Sequence, residues 1–189
     1  MINHEHKCIF IHINKCAGFS IDYFFNDRFC GHDKAIHYKN KYPKEFKEYF
    51  KFTIVRNPWD RMLSFYLYQK KRCWDFYPFS AEKAPPFNEF ICKYLKRMPK
   101  QTRLNTKPCY DWIHDKNDNL LIPEIVKFEE LQHRLPIVFK KINKDGKLKK
   151  LNSTEKKHYS EYYNQETREI IEKRFKKDIE LFNYKYETP

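Results

Sequence analysis

The chain has 189 residues, which is enough for one domain with a substantial core, and a single domain spanning residues 1–189 is expected. Its formal charge of +13 and its pI near 9.3 favour acidic partners, namely nucleotides, nucleic acid, anionic glycans or membrane surfaces, and charge alone does not choose among them. No window of about 18 apolar residues and no amino-terminal signal pattern occur, so neither a membrane-spanning nor a secreted protein is expected, but a cytoplasmic one.

The six cysteines lack the spacing of metal sites and of disulfide frameworks. They form no C-x-x-C pair, and they show no paired metal-ligand spacing with the eight histidines. Reduced thiols in a cytoplasmic protein without a metal are therefore expected.

The first informative stretch joins a strand to a helix through a short polar turn. Residues 8–13 are apolar on both faces apart from His12, which predicts a buried parallel strand. Residues 14–18 form a turn that carries Lys15, and Ser20 to Phe25 predicts the start of a helix. Backbone N–H groups at such a helix start, together with a lysine, suit a phosphate or a sulfate.

This turn differs from the nucleotide-triphosphate loop, because Lys15 precedes the single glycine, Gly18, and the first glycine of that motif is missing. On this stretch alone, an ordinary turn with a solvated lysine remains the alternative.

The second informative stretch is another strand followed by a capped helix. Phe52 to Val55 predicts a buried strand, Asn57 a helix N-cap and Pro58 the first helical position. Arg56 can offer a bidentate fork to a phosphate, and Ser64, two turns into the helix, adds a hydroxyl donor. The alternative is a structural helix start in which Arg56 pairs with Asp60.

Later segments predict further elements around these two units. Phe87 to Met98 predicts an amphipathic helix, Ile125 to Phe128 a third core strand, and a helix capped by Asn164 should run to Phe182. The aromatic residues within 68–86 predict a loop that either lines an acceptor site or packs as a lid.

Both stretches resemble the sulfotransferases that use 3′-phosphoadenosine 5′-phosphosulfate (PAPS). The family's 5′-phosphosulfate loop, H-[IV]-P-K-T-[AG]-G-[ST]-S, corresponds to residues 12–20, with departures at Asn14, Cys16 and Phe19. Its 3′-phosphate element, F-x-x-V-R-N-P-[YW]-D-R-x-x-S-x-Y, corresponds to residues 52–66. Lys127 to Leu131 is similar to the family's [RK]-[FY]-E-x-L, and the resemblance extends over about residues 8–186.

The resemblance implies a reaction and a set of site residues. PAPS would be the co-substrate, Lys15 would bind its 5′-phosphosulfate and stabilise the leaving oxygen, and Arg56 and Ser64 would bind its 3′-phosphate. The rest of the phosphosulfate cradle would be the backbone of Ala17, Gly18, Phe19, Ser20 and Ile21 with the Ser20 hydroxyl. In the late loop, Ser153, Lys157 and Tyr159 are candidate nucleotide contacts.

A histidine is the expected catalytic base. Glycan sulfotransferases of the type that includes heparan sulfate 2-O-sulfotransferase carry one at a spacing similar to that of His37, and His32 is its rival. The acceptor would be a hydroxyl, with a carbohydrate as the first expectation and a phenol or lipid as alternatives. No metal and no nucleic acid are expected.

The implied fold is α/β, a three-layer domain whose parallel central sheet is flanked by helices, as in the P-loop kinase-like fold of sulfotransferases. Three alternatives stay open. They are a nucleotide kinase on the related fold, a non-enzymatic binder of nucleotide or anionic glycan, and a sulfotransferase that binds nucleotide without turnover.

Overall fold

The first of two structural units contains a four-stranded sheet. The computed structural model describes residues 1–27, 31–71, 84–95, 106–146, 148–149 and 156–189. Unit 1 consists of Met1–Arg56 and Cys109–Ser153, and unit 2 consists of Asn57–Pro108 and Thr154–Pro189. The expectation of a single domain stays a prediction.

The sheet is mostly parallel. Its strands are β1 (Ile2–Asn3), β2 (Cys8–Ile11), β3 (Phe50–Val55) and β4 (Glu124–Lys127), and this is also their spatial order. The β2/β3 and β3/β4 pairs are parallel, while β1 pairs with β2 antiparallel. All four residues of β2 are fully buried, as a strand covered on both faces requires. The α/β class and the three core strands were predicted, but β1 was not.

The helices extend over most of the remaining described residues. In chain order they are α1 (Gly18–Phe24), α2 (Ala35–Lys41), α3 (Pro43–Glu48), α4 (Pro58–Lys71), α5 (Phe87–Glu89), α6 (Tyr110–Ile113), α7 (Leu131–Lys141), α8 (Gln165–Arg174) and α9 (Lys176–Phe182). A π-helix covers Phe90–Tyr94, and 3₁₀ turns cover Phe128–Glu130 and Tyr159–Glu161. Helices α1, α2, α3, α6 and α7 belong to unit 1, and the others to unit 2.

Unit 2 is helical and has its own apolar core. The core gathers one face of α4, the π-helix and α8, including Met62, Phe65, Phe90 and Ile171. The predicted N-cap of α4 is confirmed, because the Asn57 side chain accepts a hydrogen bond of 3.1 Å from the Trp59 N–H. The predicted helix from Phe87 to Met98 begins as α5 and continues as the π-helix, and residues 96–98 lie outside the described residues.

The predicted carboxyl-terminal helix is two helices. The first ends at Arg174, and Phe175, with φ −108°, separates it from the second. The predicted cap of the first helix is confirmed as a capping box, in which the Asn164 side chain accepts from the Thr167 N–H at 2.9 Å and the Thr167 hydroxyl accepts from the Asn164 N–H at 3.1 Å. Helix and cap therefore form as the sequence indicates, but the break does not follow from its apolar stripe.

Asn164→Ala is expected to lower the free energy of unfolding by about 1 kcal/mol, because the Thr167 N–H at the start of α8 loses its side-chain acceptor. Urea denaturation monitored by circular dichroism measures the change. Glu172→Ala, at an exposed position of the same helix, is the matched control. Equal stability of the two variants would contradict the capping role.

Two further sequence expectations bear on the described residues. Cys8, Cys16, Cys92 and Cys109 are free thiols, whereas Cys30 and Cys73 lie outside the described residues. Within the described ranges, no helix has both the length and the apolar character needed to cross a membrane.

Candidate functional site

The turn between β2 and α1, residues 12–17, has an unusual backbone, and we call it the lysine-bearing turn. Lys15 and Ala17 both adopt left-handed conformations, with φ of 65° and 61°, and the Cys16 between them is fully buried. Left-handed conformations cost an L-residue roughly 1–2 kcal/mol, so the surrounding contacts must hold this turn. Turns of this kind direct successive N–H groups to one side and make concavities that bind anions.

Only part of the expected amide cradle is open to an anion. The N–H groups of Ser20 and Ile21 donate to the Ala17 carbonyl, at 3.0 and 3.3 Å. For the N–H groups of Ala17 and Gly18, the described residues provide no acceptor. The Ser20 side chain is buried, with 4% exposure. Of the expected cradle, the N–H groups of Ser20 and Ile21 are therefore already used within the protein.

In unit 1, Arg56 of the second sequence motif contacts Lys15 of the first. Its Nη1 donates to the Lys15 carbonyl at 3.1 Å, and its guanidinium lies 3.9 Å above the centre of the Phe128 ring. Cation–π stacking holds the planar guanidinium flat on the ring. The sequence pattern around Phe128 was noticed, but this stacking role was missed. The structure thus brings the Arg56 guanidinium next to the lysine-bearing turn.

The other nucleotide-binding candidates belong to unit 2 or lie beyond the description. Ser64 is half-buried on α4. Lys157 is exposed and pairs with Glu161 at 3.2 Å, and the buried Tyr159 hydroxyl accepts a hydrogen bond of 2.7 Å from the Glu187 N–H. Ser153 and most of the aromatic segment 68–86 lie outside the described residues.

His37 is a surface residue. Its side chain is 62% exposed on α2, and its Nδ1 lies 3.2 Å from a carboxylate oxygen of Asp33, one helical turn earlier. No contact of its ring with a residue of the lysine-bearing turn occurs among the described residues. Among the described residues, the structure therefore gives His37 no connection to the turn.

His32 lies beside the turn instead. Its Nδ1 is 3.0 Å from the carbonyl oxygen of His12, and the two imidazole rings meet edge to face at 4.5 Å. Because a carbonyl only accepts, Nδ1 carries the proton, and the neutral ring keeps its lone pair on Nε2. Burial, followed by the nearby His12, lowers the pKa of His32 to about 4, so it is neutral at pH 7.

A buried contact between His12 and Asp22, which the sequence analysis missed, lies next to the turn. His12 Nδ1 is 3.0 Å from Asp22 Oδ2, and both side chains are almost completely buried. The available signals were His12 as the only polar residue of the predicted strand and Asp22 one helical turn after Gly18. Neither signal identifies a partner, because pairing depends on where the turn places α1.

A comparison with protein families identifies the chain. The model described as the sulfotransferase family matches residues 1–185. The chain belongs to the sulfotransferase family. Membership of this family supports a transferase, and the lysine-bearing turn and Arg56 fall within the matched region. Searches of curated proteins and of solved structures gave no significant match.

Proposed function

We propose that this sulfotransferase moves the sulfuryl group of PAPS to an acceptor hydroxyl on a carbohydrate. The observation that carries the proposal is the contact between the two motifs, in which Arg56 donates to the carbonyl of Lys15 beside a left-handed turn. Two cationic side chains and the open amides of Ala17 and Gly18 suit a donor that carries anionic groups at two positions. Family membership supports the same reaction class.

In this proposal, the 5′-phosphosulfate and the 3′-phosphate of PAPS are bound by different residues. The Lys15 ammonium and the amides of Ala17 and Gly18 bind the 5′-phosphosulfate, and Phe19, Ser20 and Ile21 form the start of α1 next to them. The Arg56 guanidinium binds the 3′-phosphate, for which its planar fork is well shaped, and the Ser64 hydroxyl adds a neutral donor. Stacking on Phe128 supports this role, because it fixes the plane of the guanidinium before the nucleotide binds.

The reaction is an in-line displacement at sulfur. A bond forms between the acceptor oxygen and sulfur, while the bond between sulfur and the bridging oxygen of the phosphate breaks, which leaves adenosine 3′,5′-bisphosphate. Lys15 stabilises the charge that develops on that leaving oxygen. As in phosphoryl transfer, positioning and charge stabilisation supply most of the catalysis.

His32 takes the acceptor proton at Nε2. The expected base was His37, with His32 as its rival, and three observations favour His32. It contacts His12 of the lysine-bearing turn, its Nδ1 proton is held by a carbonyl, and burial lowers its pKa to about 4, which keeps the ring neutral at pH 7 but makes it a weaker base than an ordinary imidazole. His37 is exposed on α2 and contacts Asp33.

A carbohydrate acceptor agrees with the charge and with one surface of unit 1. The Phe19 and Tyr23 rings are 42% and 52% exposed, one turn apart on α1, and the Lys149 ammonium lies 5.4 Å from the centre of the Tyr23 ring. Exposed aromatic rings next to an ammonium suit the apolar faces and anionic groups of a glycan. We further propose a P-loop kinase-like sheet and a cytoplasmic location.

The reaction is tested by incubating the protein with PAPS labelled with sulfur-35 and separate acceptors, namely neutral sugars, anionic glycans and phenols. Label transferred to a carbohydrate, together with stoichiometric adenosine 3′,5′-bisphosphate, is the expected result. Transfer to phenols alone would overturn the acceptor assignment. Phosphoryl transfer from ATP and Mg²⁺ without sulfuryl transfer would replace the proposal with the kinase alternative.

A further inference from the structure

The buried pair of His12 and Asp22 connects β2 and α1, the two elements on either side of the lysine-bearing turn. His12 directly follows β2, and Asp22 lies on α1. The side chains are 3% and 6% exposed, with 3.0 Å between Nδ1 and Oδ2. The pair therefore ties the strand end to the helix across residues 14–17, where two left-handed residues need support.

A carboxylate is an unexpected choice at this position. Asp22 is buried one helical turn from Gly18, in a region that would bind a multiply charged anion, and an uncompensated negative charge there would weaken the anion's binding. Apolar residues can replace a buried ion pair at little cost in stability, whereas removal of one partner is strongly destabilising. Stability alone therefore does not account for a buried histidine and carboxylate at this place.

The imidazole of His12 also determines which residue can begin α1. A methyl group added to Gly18 would lie 1.8 Å from His12 Nε2, well inside van der Waals contact. The backbone of Gly18 thus packs directly against the ring. With Asp22 on Nδ1 and Gly18 against the opposite edge, the imidazole is held from both sides.

We propose that His12 and Asp22 form a positioning pair that sets the shape of the lysine-bearing turn, where the phosphosulfate would bind. His12 holds the backbone of Gly18 in place through its ring, and its Nδ1 faces the carboxylate of Asp22. Neither side chain touches the donor in this account, so both act through the turn. The inference rests on the proposed function, since it assigns the pair to the donor site.

The steric role of the His12 ring against Gly18 is tested by a double-mutant cycle. The measured quantity is the affinity for adenosine 3′,5′-bisphosphate, determined by calorimetry. Gly18→Ala is expected to raise Kd about tenfold or more, because the methyl group displaces the ring or the turn. In the His12→Ala background, the same change should raise Kd by less than about threefold, because the obstructing ring is gone. An equal cost of Gly18→Ala in both backgrounds would overturn the proposal.

The electrostatic part is tested by a second cycle. His12→Phe keeps an aromatic ring but leaves the Asp22 carboxylate buried without its partner, so Kd should rise about tenfold or more. Adding Asp22→Asn removes the uncompensated charge and should restore most of the affinity. A double variant that binds as weakly as His12→Phe, while its melting temperature recovers, would show that the pair serves stability alone and would overturn the proposal.

Inorganic pyrophosphate as a second ligand separates this proposal from the proposed function. Binding of pyrophosphate without any preference for adenosine 3′,5′-bisphosphate would remove the PAPS assignment, and both cycles would then be measured with pyrophosphate. Binding of neither ligand by the wild-type protein would overturn the positioning role, because the turn would hold no anion. Thermal unfolding of every variant identifies those that lose affinity through loss of the fold.

Discussion

Lys15→Ala is expected to lower turnover with PAPS by about 100-fold or more while the protein stays folded, the scale typical of losing one electrostatic stabiliser of a leaving group. The Lys15 carbonyl, which accepts from Arg56, is retained in the variant, and so is a non-glycine residue at φ 65°. The backbone of the turn should therefore persist, and the loss reports the ammonium. Initial rates of adenosine 3′,5′-bisphosphate formation measure it.

Lys7→Ala is the matched control for this prediction. Lys7 is also a lysine with a positive φ, 46°, but it is exposed and precedes β2, outside the turn. Its replacement should leave turnover within about twofold of wild type, as for a surface substitution. Equal activities of the Lys7→Ala and Lys15→Ala variants would remove Lys15 from the reaction.

His32→Gln is expected to lower kcat by about 100-fold or more, because the amide that replaces the imidazole cannot accept a proton at neutral pH. His37→Gln should stay within about threefold of wild type, because its ring contacts Asp33 on an exposed helix face. These two variants form a matched pair, since the substitution is the same. Loss of activity in His37→Gln alone would return the base role to His37.

The pH dependence of the reaction gives a second test of the same assignment. With its pKa lowered to about 4, His32 is protonated only below that pH and is an active base above it. The profile of kcat/KM, which reports the free enzyme, should therefore stay level on its acid side until close to pH 4. A fall centred near the usual histidine value of about 6.5 would contradict the role of His32.

Local sequence signals predicted the elements that carry the site. The apolar run that ends at Ile11, the strand that ends at Val55 and the cap at Asn57 all follow from residues adjacent in the chain. Lys15 and Arg56 came from motif spacing, and their contact in unit 1 agrees with grouping them in one site. Such features are predictable because each depends on residues within a few positions.

Features that depend on contacts distant in sequence were not predictable. The choice between His32 and His37 required knowing which one the fold brings to the His12 carbonyl. The pairing of β1 with β2 uses only two residues in each strand, too short for a periodic pattern. The pairing of His12 with Asp22 likewise depends on the left-handed turn. That turn could not be predicted from the sequence, because lysine and alanine residues such as Lys15 and Ala17 rarely adopt a positive φ.

Calorimetric titration with adenosine 3′,5′-bisphosphate, adenosine 5′-monophosphate and ATP tests most directly that this is a PAPS-dependent sulfotransferase. The account predicts preferential binding of the bisphosphate and at least about tenfold weaker binding by Arg56→Ala, because a fork that recognises phosphate is lost. Arg134→Ala, an exposed arginine of α7, should bind as the wild type does. No preference for the 3′-phosphate, or a preference for ATP with Mg²⁺, would contradict the account.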